Sequence, residues 1–436
     1  MTNQAPANKE TKPAEAGGTL SRAGRAWRRV ILGAGILLIV ALWCFRGPLA
    51  RRAFTQMVLA NDAPAAEAEE EMIHNAADPG AAIVAAWNTG KIAHRRLAMQ
   101  QLSSMISHSP SLNPALHQIL LAGTLDPDLD AREMALSALE ERGDPALPAL
   151  SCAQLNDFDP QVRLLGLRHL HKPPARVGLP AVTPLLQETN PEILAYVVKL
   201  MAGWSGENFG LRLADAVPAE DENTGLIVFA NSSYEKTRAG ANRAAAWWQE
   251  HKAQYPSIPM EIPAEALAAL RPVYASPFVL TGLDGKTVRL SDFHGKTVLL
   301  NFWTTWCTAC LSELPALVAL QKKHQDDVAI LGVSLDFVPD EDNPQAGASP
   351  EDIRRKVART TAARGINYPV LLDKNNEVGA RFNGGELPTT VIIDSEGRVR
   401  RRFVGARSLE VFAAMLAEAS RPMPAARAAE HLTGAR

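Results

Sequence analysis

Three patterns of apolar and polar residues follow one another along this chain of 436 residues. A continuous apolar run occupies residues 30–45, and from about residue 78 to residue 205 apolar side chains recur at helical spacing. From residue 276 onward, short apolar runs bounded by turn residues alternate with helical stretches. We therefore predict a multidomain protein with an N-terminal transmembrane helix, an all-α solenoid and a C-terminal α/β domain.

The first apolar run has the features of a membrane anchor. Arginines between residues 22 and 29 precede Val30–Phe45, which as a helix would span about 24 Å of the roughly 30 Å hydrocarbon core. Flanking arginines can snorkel to the headgroups and make up the difference. Because more positive charge precedes the run than follows it, the N-terminus is predicted to be cytoplasmic. We expect a single-pass anchor over residues 22–52, preceded by a disordered polar tail at residues 1–20.

A cleaved signal peptide is the alternative interpretation of this segment. Its best small-residue cleavage site, Val58–Ala60, lies well beyond the apolar run, and arginines stand in between. An uncleaved anchor is therefore favoured, and residues 53–77 are interpreted as a linker. Everything after the anchor would then face an oxidising compartment, the periplasmic side of a bacterial inner membrane.

A repeated helical pattern follows the linker. Its copies open on an arginine and contain a small residue that permits close helix contact; they are Arg95–Leu102, Arg132–Leu139 and Arg163–Leu170, with a degenerate copy at Leu194–Met201. The later copies follow a capping residue and a proline, which together signal the start of a helix, at Asp126-Pro127, Asp159-Pro160 and Asn190-Pro191.

Paired helices at this spacing resemble HEAT repeats. The resemblance implies that residues 78–272 form a stack of α-helices, a HEAT-like solenoid, with a connector at its end. Such a stack can offer a surface to a protein partner, or it can act as a spacer between the membrane and the next domain. The sequence leaves both roles open.

The net charge and the number of cysteines exclude some classes of function. The net charge of −2 and the lack of a basic stripe with interleaved aromatic residues argue against nucleic-acid binding. The chain has 4 cysteines, too few for a scaffold held by disulfides. The chemistry must therefore come from a localised site.

The C-terminal pattern predicts strands alternating with helices. The predicted strands are 278–280, 287–290, 298–303, 328–335, 370–372, 389–393 and 399–404, and the predicted helices begin near Thr308, Pro350 and Leu409. The first two strands flank Asp284-Gly285, a hairpin signal. Strand and helix alternation that ends in a hairpin and a helix predicts helices packed around a mixed sheet.

Cys307 and Cys310 stand where the buried strand at 298–303 meets the next helix. Free backbone N–H groups and the helix dipole stabilise a thiolate there, which lowers a cysteine pKa from about 8.5 to roughly 3.5–7.5. The second cysteine lies one helical turn further on and can close onto the first. We therefore predict a redox-active disulfide between Cys307 and Cys310.

Half of a zinc site is the rival interpretation of this Cys-x-x-Cys motif. A zinc site needs two more ligands at suitable spacing. Cys44 lies in the apolar run, Cys152 stands alone in a helical stretch, and no spaced histidine pair follows Cys310. We therefore predict no metal site.

Several motifs together resemble the thioredoxin-fold oxidoreductases, in particular the membrane-anchored TlpA/ResA type. They are Phe302-Trp303-Thr304-Thr305-Trp306-Cys307-Thr308-Ala309-Cys310, Glu313-Leu314-Pro315 and Glu386-Leu387-Pro388-Thr389-Thr390. The resemblance covers residues 276–420 and implies a thioredoxin-like domain there, followed by a disordered tail at residues 421–436.

The resemblance also implies roles for individual residues. Pro388 would be the cis-proline packed against the redox pair, and Leu387 would expose backbone to the extended chain of a partner. Glu313 matches the carboxylate of the ResA type and would relay protons to or from the pair. Trp306 would shield the site and contact substrate, and Asn301 stands where classical thioredoxins bury an aspartate.

The function implied by the resemblance is thiol:disulfide exchange without a cofactor. Cys307 would attack a disulfide and Cys310 would resolve the mixed disulfide. We expect a reductase, supplied by a membrane electron donor of the thiol-reductase type and serving apocytochrome c or another exported thiol protein. Cytochrome c maturation is thus an expected role.

Three alternatives remain open from the sequence. Thr304 and Cys307 form the Thr-x-x-Cys of peroxiredoxins, although the proline expected four residues before that threonine is replaced by Leu300. Copper handling of the Sco type needs three residues between the cysteines, and here there are two. Finally, the helical array could be the main interaction module and the redox domain an accessory.

Overall fold

The computed structural model describes residues 78–108, 112–170, 173–211, 219–220, 227–228, 231–324, 326–338 and 348–421. The predicted anchor at residues 22–52, the linker at 53–77, the N-terminal tail and residues 422–436 lie outside these ranges. None of the helices within the described ranges is both long enough and apolar enough to cross a bilayer.

The described residues between 79 and 269 are mostly helical, as the spacing of apolar residues predicts. The helices of this helical region are α1 (Pro79–Asn88), α2 (Ile92–His108), α3 (Pro114–Gly123), α4 (Leu129–Arg142), α5 (Leu147–Gln154), α6 (Pro160–Arg168), α7 (Ala175–Val182), α8 (Pro191–Ser205), α9 (Asn231–His251) and α10 (Ala264–Ala269). Two short strands, β1 (Ala219–Glu220) and β2 (Ile227–Val228), pair antiparallel between α8 and α9. The predicted connector includes α10, whose Ala266 is buried in the same core as α1 to α4.

Two of the three predicted helix starts are confirmed, and one is wrong. Asp159 and Asn190 cap α6 and α8, because each side chain accepts a hydrogen bond from a backbone N–H of the first turn. At Asp126-Pro127, however, the helix begins two residues later and is capped by Asp128. The Asp126 carboxylate instead forms a buried ion pair with Arg95 at 2.7 Å. That buried guanidinium competes for the carboxylate, which a local sequence signal does not reveal.

Gly166 shows how closely the helices of this region approach. A Cβ atom at this position in α6 would lie 2.7 Å from the Ser151 carbonyl oxygen of α5. We expect Gly166→Ala to lower the free energy of unfolding by about 1–3 kcal/mol, because the backbone must shift. Gly203 in α8 has no atom within 4 Å of such a Cβ, so Gly203→Ala should instead be neutral or stabilising by up to about 1 kcal/mol. Urea denaturation of both variants checks this contrast, and equal effects would contradict it.

The C-terminal domain is built on a mixed sheet with strand order β4-β3-β7-β6-β5-β8-β9 among the described residues. Its strands are β3 (Val279–Gly282), β4 (Thr287–Arg289), β5 (Thr297–Trp303), β6 (Val328–Ser334), β7 (Val370–Leu372), β8 (Thr389–Ile393) and β9 (Val399–Val404), and its helices are α11 (Thr308–Lys323), α12 (Pro350–Ala363), α13 (Glu377–Arg381) and α14 (Leu409–Ala419). The predicted strands and long helices are confirmed to within about two residues. The short helix α13 was not predicted from the sequence.

The central strand β5 is buried along its whole length. Its parallel neighbour is β6 and its antiparallel neighbour is β8. Val298, Leu300 and Phe302 pack in a core on one face of the sheet, whereas Leu299 packs with α11 and α14 on the other. Strand β5 thus carries its C-terminal end, and the cysteines that follow, out of the middle of the sheet.

The helical region packs directly against the C-terminal domain. Strand β9 lies at one edge of the sheet, and its Arg402 backbone N–H donates to the carbonyl of Pro127 at 2.8 Å. Arginines on and after β9 also pair with aspartates in the loops and first turns of the helical region; the pairs are Arg401–Asp157, Arg402–Asp128, Arg402–Asp130 and Arg407–Asp159. The helical region therefore covers an edge that would otherwise be open to pairing with another chain.

Candidate active site

The two cysteines of the predicted redox motif are joined in a disulfide, with their Cα atoms 5.2 Å apart. Cys307 caps the N-terminus of α11, and its Sγ accepts a hydrogen bond from the Cys310 backbone N–H at 3.1 Å. Cys307 is half-buried, whereas Cys310 has no exposed surface. An incoming sulfur can thus reach Cys307 more readily than Cys310.

A buried carboxylate holds the turn that leads into Cys307. Asp336 accepts hydrogen bonds from the backbone N–H of Thr305 at 3.1 Å and from its hydroxyl at 2.5 Å. The Ser334 hydroxyl donates to the same carboxylate at 2.8 Å. Asp336 was not among the site residues predicted from the sequence. A signal was present, because the carboxyl ends of parallel strands meet at one edge of a sheet, and Asp336 follows the strand next to β5.

The loop before β8 lies against the redox pair. The Leu387–Pro388 peptide bond is cis, and Pro388 is buried. Leu387 is half-buried and packs in the same apolar cluster as Cys307, Cys310 and Trp303. The Pro388 carbonyl accepts from the Gly405 backbone N–H at 2.8 Å. The structure thus brings two distant segments, residues 303–310 and 387–388, into one site.

Glu313 is buried one helical turn after Cys310. Burial raises the pKa of Glu313 to about 7, although a hydrogen bond from the Asn301 side chain and the nearby Arg407 act in the opposite direction. Asn301 Nδ2 donates to Glu313 Oε1 at 2.7 Å. Within the described residues, Glu313 Oε2 has no hydrogen-bond partner. A carboxyl group with this pKa can both accept and release a proton near neutral pH.

Trp306 directly precedes Cys307 and is half-buried. Trp303 is fully buried and belongs to the same apolar cluster as Cys307. The indole nitrogens of both have no hydrogen-bond partner among the described residues. Across the same described ranges, no group of His, Cys, Asp or Glu side chains is arranged to hold a metal ion. The chemical groups that converge at this site are a disulfide, a carboxyl group and apolar surface.

Comparison with known proteins assigns the C-terminal domain. The AhpC/TSA family model matches residues 274–402. Thioredoxin-like protein YneN of Bacillus subtilis is 34% identical over 131 residues, which are 30% of this chain and 69% of that protein. Thiol-disulfide oxidoreductase ResA of Bacillus anthracis is 33% identical over 137 residues, which are 31% of this chain and 70% of that protein. This chain belongs to the ResA-like thiol-disulfide oxidoreductase family.

A solved structure matches the same share of the chain. It is a thiol:disulfide interchange protein of the thioredoxin family from Chlorobium tepidum, with 28% identity and a TM-score of 0.29. The match covers 34% of this chain and 97% of that structure. In this ResA-like oxidoreductase, the matches to YneN and ResA cover only 30% and 31% of the chain, and the family model lies wholly after the helical region.

Replacing Glu313 with glutamine should change how stability depends on pH. Because the pKa of Glu313 is raised from 4.5 to about 7, the folded state binds this proton more tightly than the unfolded state. The free energy of unfolding therefore falls as pH rises from about 4.5 to about 7, by up to about 3 kcal/mol from this group. Glu313→Gln should remove that loss. Urea denaturation of both proteins at pH 4.5 and pH 8 would test this, and identical pH dependences would contradict it.

Proposed function

We propose that this protein is a membrane-anchored thiol:disulfide reductase of the bacterial periplasm. The observation that carries the proposal is the pairing of a half-exposed Cys307 with a buried Cys310 beside the cis-proline. The exposed sulfur can engage a protein client, and the buried sulfur is reserved for the internal step. A disulfide that only stabilised the fold would not need this asymmetry.

The exchange proceeds in two balanced steps in this proposal. In the reduced protein the Cys307 thiolate attacks one sulfur of a client disulfide, and the other client sulfur leaves as a thiolate. Cys310 then loses its proton and attacks Cys307 Sγ, which releases the second client sulfur. The client gains two electrons and the Cys307–Cys310 disulfide forms. Glu313 would accept the Cys310 proton, and the backbone at Leu387 would bind the extended chain of the client.

The location and partners belong to the same proposal. The segment at residues 22–52 would anchor the chain with its N-terminus in the cytoplasm. Because an oxidising compartment does not re-reduce the disulfide, a membrane electron donor of the thiol-reductase type would supply electrons. Exported thiol proteins such as apocytochrome c would be the clients. A protein partner on the helical region is also proposed, and partner binding that survives loss of both cysteines would support it.

The reduction potential of the Cys307–Cys310 pair tests the direction of electron flow. The full chain in detergent would be equilibrated with glutathione or dithiothreitol buffers, and its thiols would be trapped and counted. A potential near about −250 mV or lower supports a reductase, whereas one near about −120 mV indicates an oxidant that inserts disulfides. Absence of a reversible two-electron couple would contradict the exchange mechanism itself.

A further inference from the structure

The cis-proline loop, residues 383–388, is contacted by a charged cluster at the junction of the two domains. Arg402 of β9 lies at the centre of this cluster and is fully buried. Its guanidinium pairs with Asp128 and Asp130 of the helical region, and it also donates to the carbonyl of Asn383. One side chain thus joins the first residue of the loop to two carboxylates of the other domain.

A second arginine, Arg96, links Asp130 to Glu386, near the other end of the loop. Arg96 on α2 pairs with Asp130 at 2.9 Å and with Glu386 at 3.1 Å. Glu386 directly precedes Leu387, which belongs to the same apolar cluster as Cys307. Asp130 therefore binds both arginines, and each of them binds the cis-proline loop.

Pro388 itself is linked to the helical region indirectly. Gly405 of the C-terminal domain donates to the Pro388 carbonyl, and Arg407, two residues later, pairs with Asp159 of the helical region at 3.2 Å. The helical region therefore also contacts the segment that hydrogen-bonds to Pro388. Contacts within the C-terminal domain alone, such as Gly384 N–H to the Gly379 carbonyl, account for only part of the loop's support.

We propose that Asp130 is a positioning residue for the cis-proline loop, so that the helical region helps to shape the surface on which a protein client's extended chain binds. The proposal rests on the exchange function given above. A client chain that pairs with loop backbone needs that backbone in register. A small disulfide reaches Cys307 without using the loop. Substitution of Asp130 should therefore impair the reduction of protein clients and leave the reduction of small disulfides unchanged.

Two disulfide substrates separate these cases. Full-length protein in detergent, reduced beforehand and freed of reductant, would be assayed in single turnovers with insulin and with a small aromatic disulfide, 5,5′-dithiobis(2-nitrobenzoate). KM is here the substrate concentration that gives half of the maximal single-turnover rate. The variants are Asp130→Asn and Arg96→Gln, with Asp130→Glu as the conservative variant that keeps the carboxylate. Glu188→Gln is the matched control, because Glu188 forms an equally half-buried ion pair with Arg163 at 2.9 Å, inside the helical region.

We expect Asp130→Asn to raise KM for insulin about fivefold, which corresponds to about one net hydrogen bond. Rates with the small disulfide should stay within about twofold, and Asp130→Glu should recover most of the loss. If KM for insulin rises with Asp130→Asn but not with Arg96→Gln, the proposal is supported, and Arg402 is then the arginine through which Asp130 positions the loop. An unchanged KM, or an equal loss on both substrates, would overturn it. If the unmodified protein reduces neither substrate, the proposed function itself fails.

Discussion

Replacing Cys310 with serine is expected to trap the protein in a mixed disulfide with its client. Cys307 remains at the start of α11 and keeps its access to solvent, so the first attack should still occur. The second step then has to use external thiol at about millimolar concentration, whereas a well-placed internal thiol acts at an effective concentration of about 10⁵ M or more. Release should slow by at least about a thousandfold. Non-reducing gels and intact mass of the Cys310→Ser protein after reaction with oxidised insulin check this.

The matched control is Cys152→Ser. Cys152 is partly buried in the helical region, and burial raises its pKa to about 11, which makes it a poor nucleophile. This variant should turn over normally and form no adduct. Release by Cys310→Ser at the rate of the unmodified protein would contradict the assigned roles. Substantial peroxide turnover by Cys310→Ser would instead favour the peroxidase alternative.

Replacing Arg402 with alanine is expected to cause the largest loss of stability at the junction of the two domains. Arg402 is fully buried between Asp128 and Asp130 and donates to the Asn383 carbonyl. Removing one partner of a buried ion pair typically costs about 3–5 kcal/mol, because the other charge is left without compensation. Thermal denaturation and limited proteolysis of Arg402→Ala measure the loss. Arg355→Ala, in an exposed ion pair with Asp352, should change stability by less than about 1 kcal/mol.

The loss caused by Arg402→Ala should depend on pH. Burial raises the pKa of Asp128 to about 6, and Arg402 is the main influence that lowers it. Without Arg402 the pKa of Asp128 should rise further, so protonation relieves part of the uncompensated charge as the pH falls toward 6 and below. The difference in unfolding free energy between the two proteins should therefore be smaller at pH 5 than at pH 8. A loss that grew on acidification would contradict this account of the junction.

Local patterns were enough to predict most of the C-terminal domain. The apolar run of β5 is buried on both faces, and burial of that kind shows directly in the sequence as a continuous apolar strand. Ser349 and Pro350 marked the start of α12, because capping and the φ angle of proline act over one turn. The Cys-x-x-Cys pair was predictable for the same reason, since both cysteines lie within four residues at a strand-to-helix junction.

Local patterns thus predicted most of the elements, the redox pair and the mainly helical nature of the region before residue 270. Long-range packing sets three features that no local pattern shows: Asp126 pairs with Arg95 rather than capping a helix, Asp336 holds Thr305, and Arg402 joins two domains through Asp128 and Asp130. In each case a charged side chain meets a partner far away in the chain. Caps and periodicities reflect forces within one helical turn or one strand, whereas the partner of a buried charge depends on which surfaces pack together. That is why Asp126 and Asp159 were predicted only as helix starts, although Asp126 pairs with Arg95 and Asp159 pairs with Arg407.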